Sequence, residues 1–265
     1  MKLASLQHGR DGRLVVVSQD LTRATDAFPI VPTLQAALDD WDRLAPRLAD
    51  LAVSLDHGSV PSFRFHEHDC AAPLPRAYSR LVVSDTSVPV PMRSDGTLGP
   101  REPIRALDES AGLVAQAGLA AIMGDLPAGA SPAQALARIH LVMLSCTVRQ
   151  QEQGGPEQAL SFSPVAVTPD EIDAAWRDGR IDLPLLRQIN QQPPQHGESA
   201  AADLAGLVAK AARGQTLGAG TIVMAGVPMP PAQPLRFGDT IRIEMKDRAG
   251  HSIFGAIEQE LLPAG

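Results

Sequence analysis

The run Leu113-Val114-Ala115-Gln116-Ala117-Gly118-Leu119-Ala120-Ala121-Ile122-Met123-Gly124-Asp125 constrains the fold of this chain more than any other stretch. It reads as an apolar strand closed by a Gly-Asp turn. A strand of that kind needs a core to lie in. A chain of 265 residues, 44% hydrophobic and 20% charged, is ordinary globular material and buries a core of that size without staples. The length allows one large domain, or a small one followed by a larger one.

Composition excludes several classes of function. The formal net charge is −7 and there is no basic block, so no nucleic-acid partner is expected. No apolar run approaches the ~20 residues needed to cross a bilayer, so no membrane partner is expected either. Met1–Gly12 lacks the apolar stretch of a signal peptide, and a cytoplasmic location is the default expectation. Cys70 and Cys146 are the two cysteines, which rules out a disulfide framework and a four-cysteine zinc site. Aromatic residues are 3% of the chain, too few for a stacking surface for bases or sugars. With 23 prolines and 22 glycines, many turns and short strands are predicted.

Residues 1–70 read as a small N-terminal α/β unit and residues 71–265 as the main domain. In the small unit, Arg13–Val17 is a strand after the Asp11-Gly12 turn. Leu34, Leu38, Trp41, Leu44, Leu48 and Leu51 have helical spacing, with Pro46 as a break or a new first turn. Cys70–Arg76, with Pro73 and Pro75, reads as an extended linker. Ser79–Leu107 reads as loop. Ser131, Pro132 and Gln134 form the start of a helix, as do Thr168, Pro169 and Glu171. A strand is predicted over Leu141–Val148 and an amphipathic helix over Ser199–Arg213. Three further strands are predicted at Thr221–Val227, Thr240–Met245 and His251–Ile257. The whole is β-rich α+β, with a largely antiparallel or mixed sheet.

Several segments, in order from about residue 71 to 260, resemble the fumarylacetoacetate hydrolase family. They are Ala72–Ala77, Leu98–Arg101, Met123–Asp125 with Ala128–Ser131, Leu141–Leu144, Phe162–Pro169, Leu217–Ile222, and Phe237–Asp239 through Ile243–Met245 to Ile253–Gly255. The resemblance implies a mixed β-sandwich roll, usually dimeric. It also implies cleavage, decarboxylation, isomerisation or hydration of keto acids, with magnesium or calcium chelating the substrate and a His–Glu pair activating water.

The residues that would do this chemistry are missing here. An acid-x-acid pair on one strand makes a metal clamp because alternate residues share a face. In this chain those places read Gln116 and Gly118, and the place of the third acid falls at Thr147. An amide oxygen, nothing and a hydroxyl are poor replacements for hard carboxylate ligands. The interval Ala77–Leu98, where the family histidine belongs, has no histidine. The loop Gln150–Pro156 has no lysine, and the loop Gly226–Pro231 is short. Arg101, Cys146, Arg149 and Met224 are candidate cleft-lining residues.

No catalytic residue and no metal or other cofactor is therefore expected. One reading is a non-catalytic or re-purposed, metal-free protein for a small keto-acid or polyketide-like ligand. It would be a homodimer, or a hetero-oligomer with an active paralogue. The other is an active hydrolase, decarboxylase or isomerase on acylpyruvates or 2,4-dioxo acids, using unaligned ligands.

Other clusters each allow more than one reading. His66, His68 and Cys70 would share a face on a strand and could hold zinc, or belong to a solvated segment. Cys146 near His140 could be a nucleophile pair, or Cys146 a buried structural thiol. Asp125 and Asp239 read as turn residues, Glu244 as a strand-face or interface ion pair, and His251 as exposed. Met224, Met229 and Pro228–Pro231 form an apolar segment that either covers the cleft, meets a partner or is loop.

Overall fold

The computed structural model describes residues 1–84, 87–110, 112–151 and 157–264. It opens on three antiparallel strands, β1 (Lys2–Leu6), β2 (Arg13–Val17) and β3 (Arg23–Asp26). Gly12 makes the first turn at φ +71, where a Cβ would stand 2.7 Å from that of Ser5. Helices α1 (Leu34–Leu38) and α2 (Trp41–Asp56) follow, then β4 (Phe63–Arg64). Pro46 neither breaks nor restarts α2 but lies inside it. The buried row Leu44, Leu48, Ala52 and Leu55 holds the helix across the missing amide hydrogen bond.

The remaining strands are β5 (Ser79–Val82), β6 (Val90–Met92), β7 (Ile104–Ala106), β8 (Leu113–Met123), β9 (Ile139–Gln150), β10 (Glu157–Phe162) and β11 (Ala166–Val167). After them come β12 (Trp176–Arg177), β13 (Arg180–Ile181), β14 (Pro184–Ile189), β15 (Gln195–Glu198), β16 (Thr221–Gly226), β17 (Thr240–Met245) and β18 (Ile257–Pro263). Helix α3 (Pro132–Leu136) carries the capping box on Ser131 and Gln134, and α4 is Leu204–Ala211.

A large mixed sheet runs β4-β3-β2-β1-β11-β9-β8-β16-β5-β6, with β10 also paired to β9; a second sheet runs β15-β14-β17-β18-β7. The fold is β-rich α+β. Because β1 pairs with β11 and β11 with β9, the first residues of the chain join the main sheet directly.

Pleating of β8 separates two cores. Ala115, Ala117, Leu119, Ala121 and Met123 face the second sheet in one core. Ala120 and Ile122 belong to the other, which also holds Leu48 and Leu55 of α2 with Leu74, Leu141, Met143 and Phe162.

Several local expectations are corrected. Ser79–Leu107 is not all loop but holds β5, β6 and β7. Cys70–Arg76 is no free linker: Cys70, Ala72 and Leu74 are buried, and Ala71 N–H donates to Ser5 O at 2.9 Å. Pro169–Ala175 is a 3₁₀ segment without a side-chain cap, interrupted at Asp173, where φ is +52. The return strand after Gly250 starts only at Ile257. Among the described residues no helix is long and apolar enough to cross a membrane.

Candidate functional site

Strands β8 and β9 set the site by their register. Gln116 lies opposite Thr147, Gly118 opposite Ser145 and Val114 opposite Arg149. On the other side of β8, Gly226 of β16 lies opposite Gly118 and Met224 opposite Ala120. Alternation puts Gln116, Gly118, Ser145, Thr147 and Arg149 on the face that carries Ala120 and Ile122. Ala120 and Ile122 are fully buried in the core shared with the helices. Beyond them the face opens into a cavity of about 190 Å³. Its walls include all five residues with Val82, Val90, Met92, Met224 and Glu157.

An ion pair lies at the edge of the cavity. Arg80 of β5, 2% exposed, donates from Nη1 and Nη2 to the two carboxylate oxygens of Glu157 at 2.9 and 2.7 Å. β5 and β10 are separated in the sheet by β16, β8 and β9, so the sheet must curl to bring them together.

Crowding explains the glycine at 118. A Cβ there would stand 2.6 Å from the carbonyl oxygen of Ala225 and 2.9 Å from Ser145 Oγ. Three polar groups rise from β9 at alternate positions: Ser145, Thr147 and Arg149. Ser145 is 3% exposed, and among the described residues neither its hydroxyl nor that of Thr147 makes a side-chain hydrogen bond. Arg149 has one long contact, Nη1 to Gln116 Oε1 at 3.3 Å, and no carboxylate partner among the described residues. These donors are free to meet an anion.

Two candidate cleft residues lie elsewhere. Arg101 does not line the cavity: it pairs with Glu67 and, at 2.8 Å, with Glu258, whose carboxylate also meets Arg242. Cys146 points to the other core, 1% exposed, and burial pushes its thiol up to about 12. His140 is no partner for it. The imidazole stacks on Trp41 with ring centroids 4.8 Å apart, and burial, aided by Arg138, pulls its pKa down to about 4.

The zinc cluster does not form either. Glu67–Asp69 is a 3₁₀ turn, so His66, His68 and Cys70 do not share a strand face. His66 and His68 are exposed while Cys70 is buried. Asp125 accepts from Ala219 N–H, Asp239 from Arg236 N–H and Glu244 from Arg242. His251 is exposed beside Asp247.

Of the loop Gln150–Pro156, residues 152–156 lie outside the described residues. The Gly226–Pro231 segment lines a neighbouring cavity of about 460 Å³ together with Arg187 and Gln116. Arg187 is 4% exposed and donates to Ala115 O at 2.9 Å and Pro230 O at 2.6 Å, which pins that segment to β8.

Sequence reading missed Ser145 and the Arg80–Glu157 pair. An arginine inside the run Ser79-Arg80-Leu81-Val82-Val83, and polar residues at alternate places in Ser145-Cys146-Thr147-Val148-Arg149, were the available signals.

Residues 1–76 match the family model described as fumarylacetoacetase N-terminal domain 2. Residues 85–261 match fumarylacetoacetate (FAA) hydrolase C-terminal. The chain belongs to the fumarylacetoacetate hydrolase family. Comparison with curated proteins finds no match. Among solved structures, maleylpyruvate hydrolase from Sphingobium sp. SYK-6 is 17% identical over 100% of both chains, with a TM-score of 0.78. Its complex with manganese(II) ion and pyruvate gives 16%, 100% of both chains and 0.78. Fumarylacetoacetate hydrolase from psychrophilic Exiguobacterium antarcticum is 18% identical over 100% of both chains, with a TM-score of 0.69. At these identities the likeness is one of fold.

A divalent metal in this family's cleft calls for hard oxygen ligands bearing charge. The cavity offers the Gln116 amide and two hydroxyls. The one carboxylate among its described residues, Glu157, is taken by Arg80, and Arg149 adds a positive charge. Among the described residues no group of three or more His, Cys, Asp and Glu side chains could hold a metal ion. The described donor set does not fit the metal.

Proposed function

We propose that this member of the fumarylacetoacetate hydrolase family binds a small carboxylate, such as a keto acid, through its own side chains and without metal-dependent hydrolysis. The row Ser145–Thr147–Arg149 carries this reading. Among the described residues it offers two uncommitted hydroxyls and a guanidinium without a carboxylate partner, on the wall of the cavity. A carboxylate entering there replaces lost water with charge-assisted hydrogen bonds. A binder acts through what it carries or meets, so a homodimer, or a hetero-oligomer with an active paralogue in the cytoplasm, belongs to the same proposal.

The second reading is a working hydrolase, decarboxylase or isomerase on acylpyruvates or 2,4-dioxo acids. Its support is full-length likeness to the manganese and pyruvate complex of a maleylpyruvate hydrolase.

Thermal unfolding with pyruvate or oxalate separates the two readings, run with a chelator and then with manganese, magnesium or calcium. Under the first, the anions raise the melting temperature with chelator present, and Arg149→Gln removes the effect. A shift that appears only with metal, together with turnover of an acylpyruvate, establishes the second and overturns the first.

A further inference from the structure

The two walls of the cavity differ in chemistry, and that difference defines the ligand more narrowly than "carboxylate". The argument rests on the carboxylate-binding reading above. One wall is the polar row of β9. The other is apolar, made by Val82, Val90, Met92 and Met224.

Among the described residues, Arg149 and Glu157 are the ionised groups in these walls, and Arg80 stands behind Glu157. Arg80 and Glu157 neutralise each other through two hydrogen bonds, and Arg80 also gives its Nε to the carbonyl of Arg93 at 2.5 Å. Arg149 is thus the single uncommitted cation among the described residues of the cavity. A carboxylate seated on Arg149 leaves the rest of the molecule against valine and methionine. A second carboxylate placed there would lose its water without meeting a donor or an unpaired cation.

Size sets the third limit. The cavity of about 190 Å³ lies below the roughly 300 Å³ at which sites for drug-sized ligands begin.

We infer that the ligand is a monocarboxylate with a short, uncharged aliphatic tail, and that Glu157, held by Arg80, is the residue that excludes dicarboxylates. The specificity is electrostatic. Arg80 would be a second carboxylate site if Glu157 did not already occupy it.

Isothermal titration in chelator-treated buffer tests this with 3-methyl-2-oxobutanoate against succinate, which has the same number of non-hydrogen atoms. The monocarboxylate is expected to bind at least about tenfold more tightly. In Glu157→Gln the Arg80 guanidinium loses its carboxylate, and succinate binding is expected to gain at least about tenfold while 3-methyl-2-oxobutanoate changes little. Equal or tighter binding of succinate by the unaltered protein overturns the inference and leaves the carboxylate reading standing. So does a folded Glu157→Gln protein with no gain for succinate. If neither anion binds without metal, the carboxylate reading falls and takes the inference with it. Should Glu157→Gln fail to fold, the comparison on the unaltered protein decides alone.

Discussion

At the scale of single residues, Gly118 marks where two strands of the site leave no room for a side chain. The backbone of β16 lies so close that a Cβ at 118 would press on the Ala225 carbonyl oxygen at 2.6 Å. Gly118→Ala is therefore expected to lower stability by roughly 1–3 kcal/mol in urea unfolding, the usual cost of overpacking. A cost near zero would mean that β8 and β16 part easily and that the glycine is incidental. The same crowding makes a glutamate at 118 a change of strand spacing as well as of charge. His140 gives a second expectation. Burial first, then Arg138, lower its pKa to about 4, while Asp42 and Asp125 pull the other way. Between pH 6.5 and about 4 the unfolded chain binds the proton and the folded chain does not. Stability contributed by neutral His140 is thus full above pH 6.5 and falls with pH down to about 4, by roughly 1–2 kcal/mol once solvent screening is allowed for. Urea titrations across that window should show the slope, and His140→Gln should flatten it. Sequence alone placed Gln116, Gly118, Thr147, Arg149 and Met224 as residues of interest, and the structure gathers them around one cavity. It misplaced Arg101 and Cys146 because neighbours in sequence order, or one step along a strand, look out from different faces.

At the scale of elements, the long central strands were legible and the short outer ones were not. Leu113–Met123 and Thr240–Met245 have the limits read from their apolar content. β15, with the sequence Gln-His-Gly-Glu, has no apolar pattern to read, and its place comes from pairing with β14. The segment 251–256 looked like a strand because Ile253, Phe254 and Ala256 are apolar. They are buried in a turn, and the ladder to β17 starts only at Ile257. Helix α2 yields the testable case. Pro46 lies beyond its first turn, where the ring displaces a backbone hydrogen bond. Pro46→Ala is expected to raise the urea midpoint, with a gain of about 1–3 kcal/mol less whatever the freer unfolded chain returns. An unchanged or lower midpoint would show that packing of Leu44 and Leu48 already offsets the lost hydrogen bond.

At the scale of the whole molecule, the chain is tied together across any boundary near residue 70. One core draws Leu3, Leu14, Leu48 and Leu55 from the first part of the chain and Ala120, Ile122, Leu141, Met143 and Phe162 from the second. β1 pairs with β11, Lys2 gives its ammonium to Ile253 O at 2.8 Å, and Glu67 pairs with Arg101. The extended segment Cys70–Arg76, with Pro73 and Pro75, marked a boundary near 70. Contacts this distant in sequence leave no local trace, so the joint could not be read there. Each large apolar side chain in that shared core is worth about 1.5–3 kcal/mol on burial, more in sum than the few kcal/mol by which domains are stable. The two parts are expected to unfold together. Scanning calorimetry should give one transition whose van't Hoff and calorimetric enthalpies agree. A chain beginning at residue 71 should expose Ile122, Leu141 and Met143 as one apolar patch and aggregate. Two separate transitions, or a soluble and folded chain from residue 71, would show instead that the helix layer is docked on a self-sufficient roll. In that case the cavity beside Gln116 would keep its shape without the layer, because its walls come from β5, β6, β8, β9, β10 and β16.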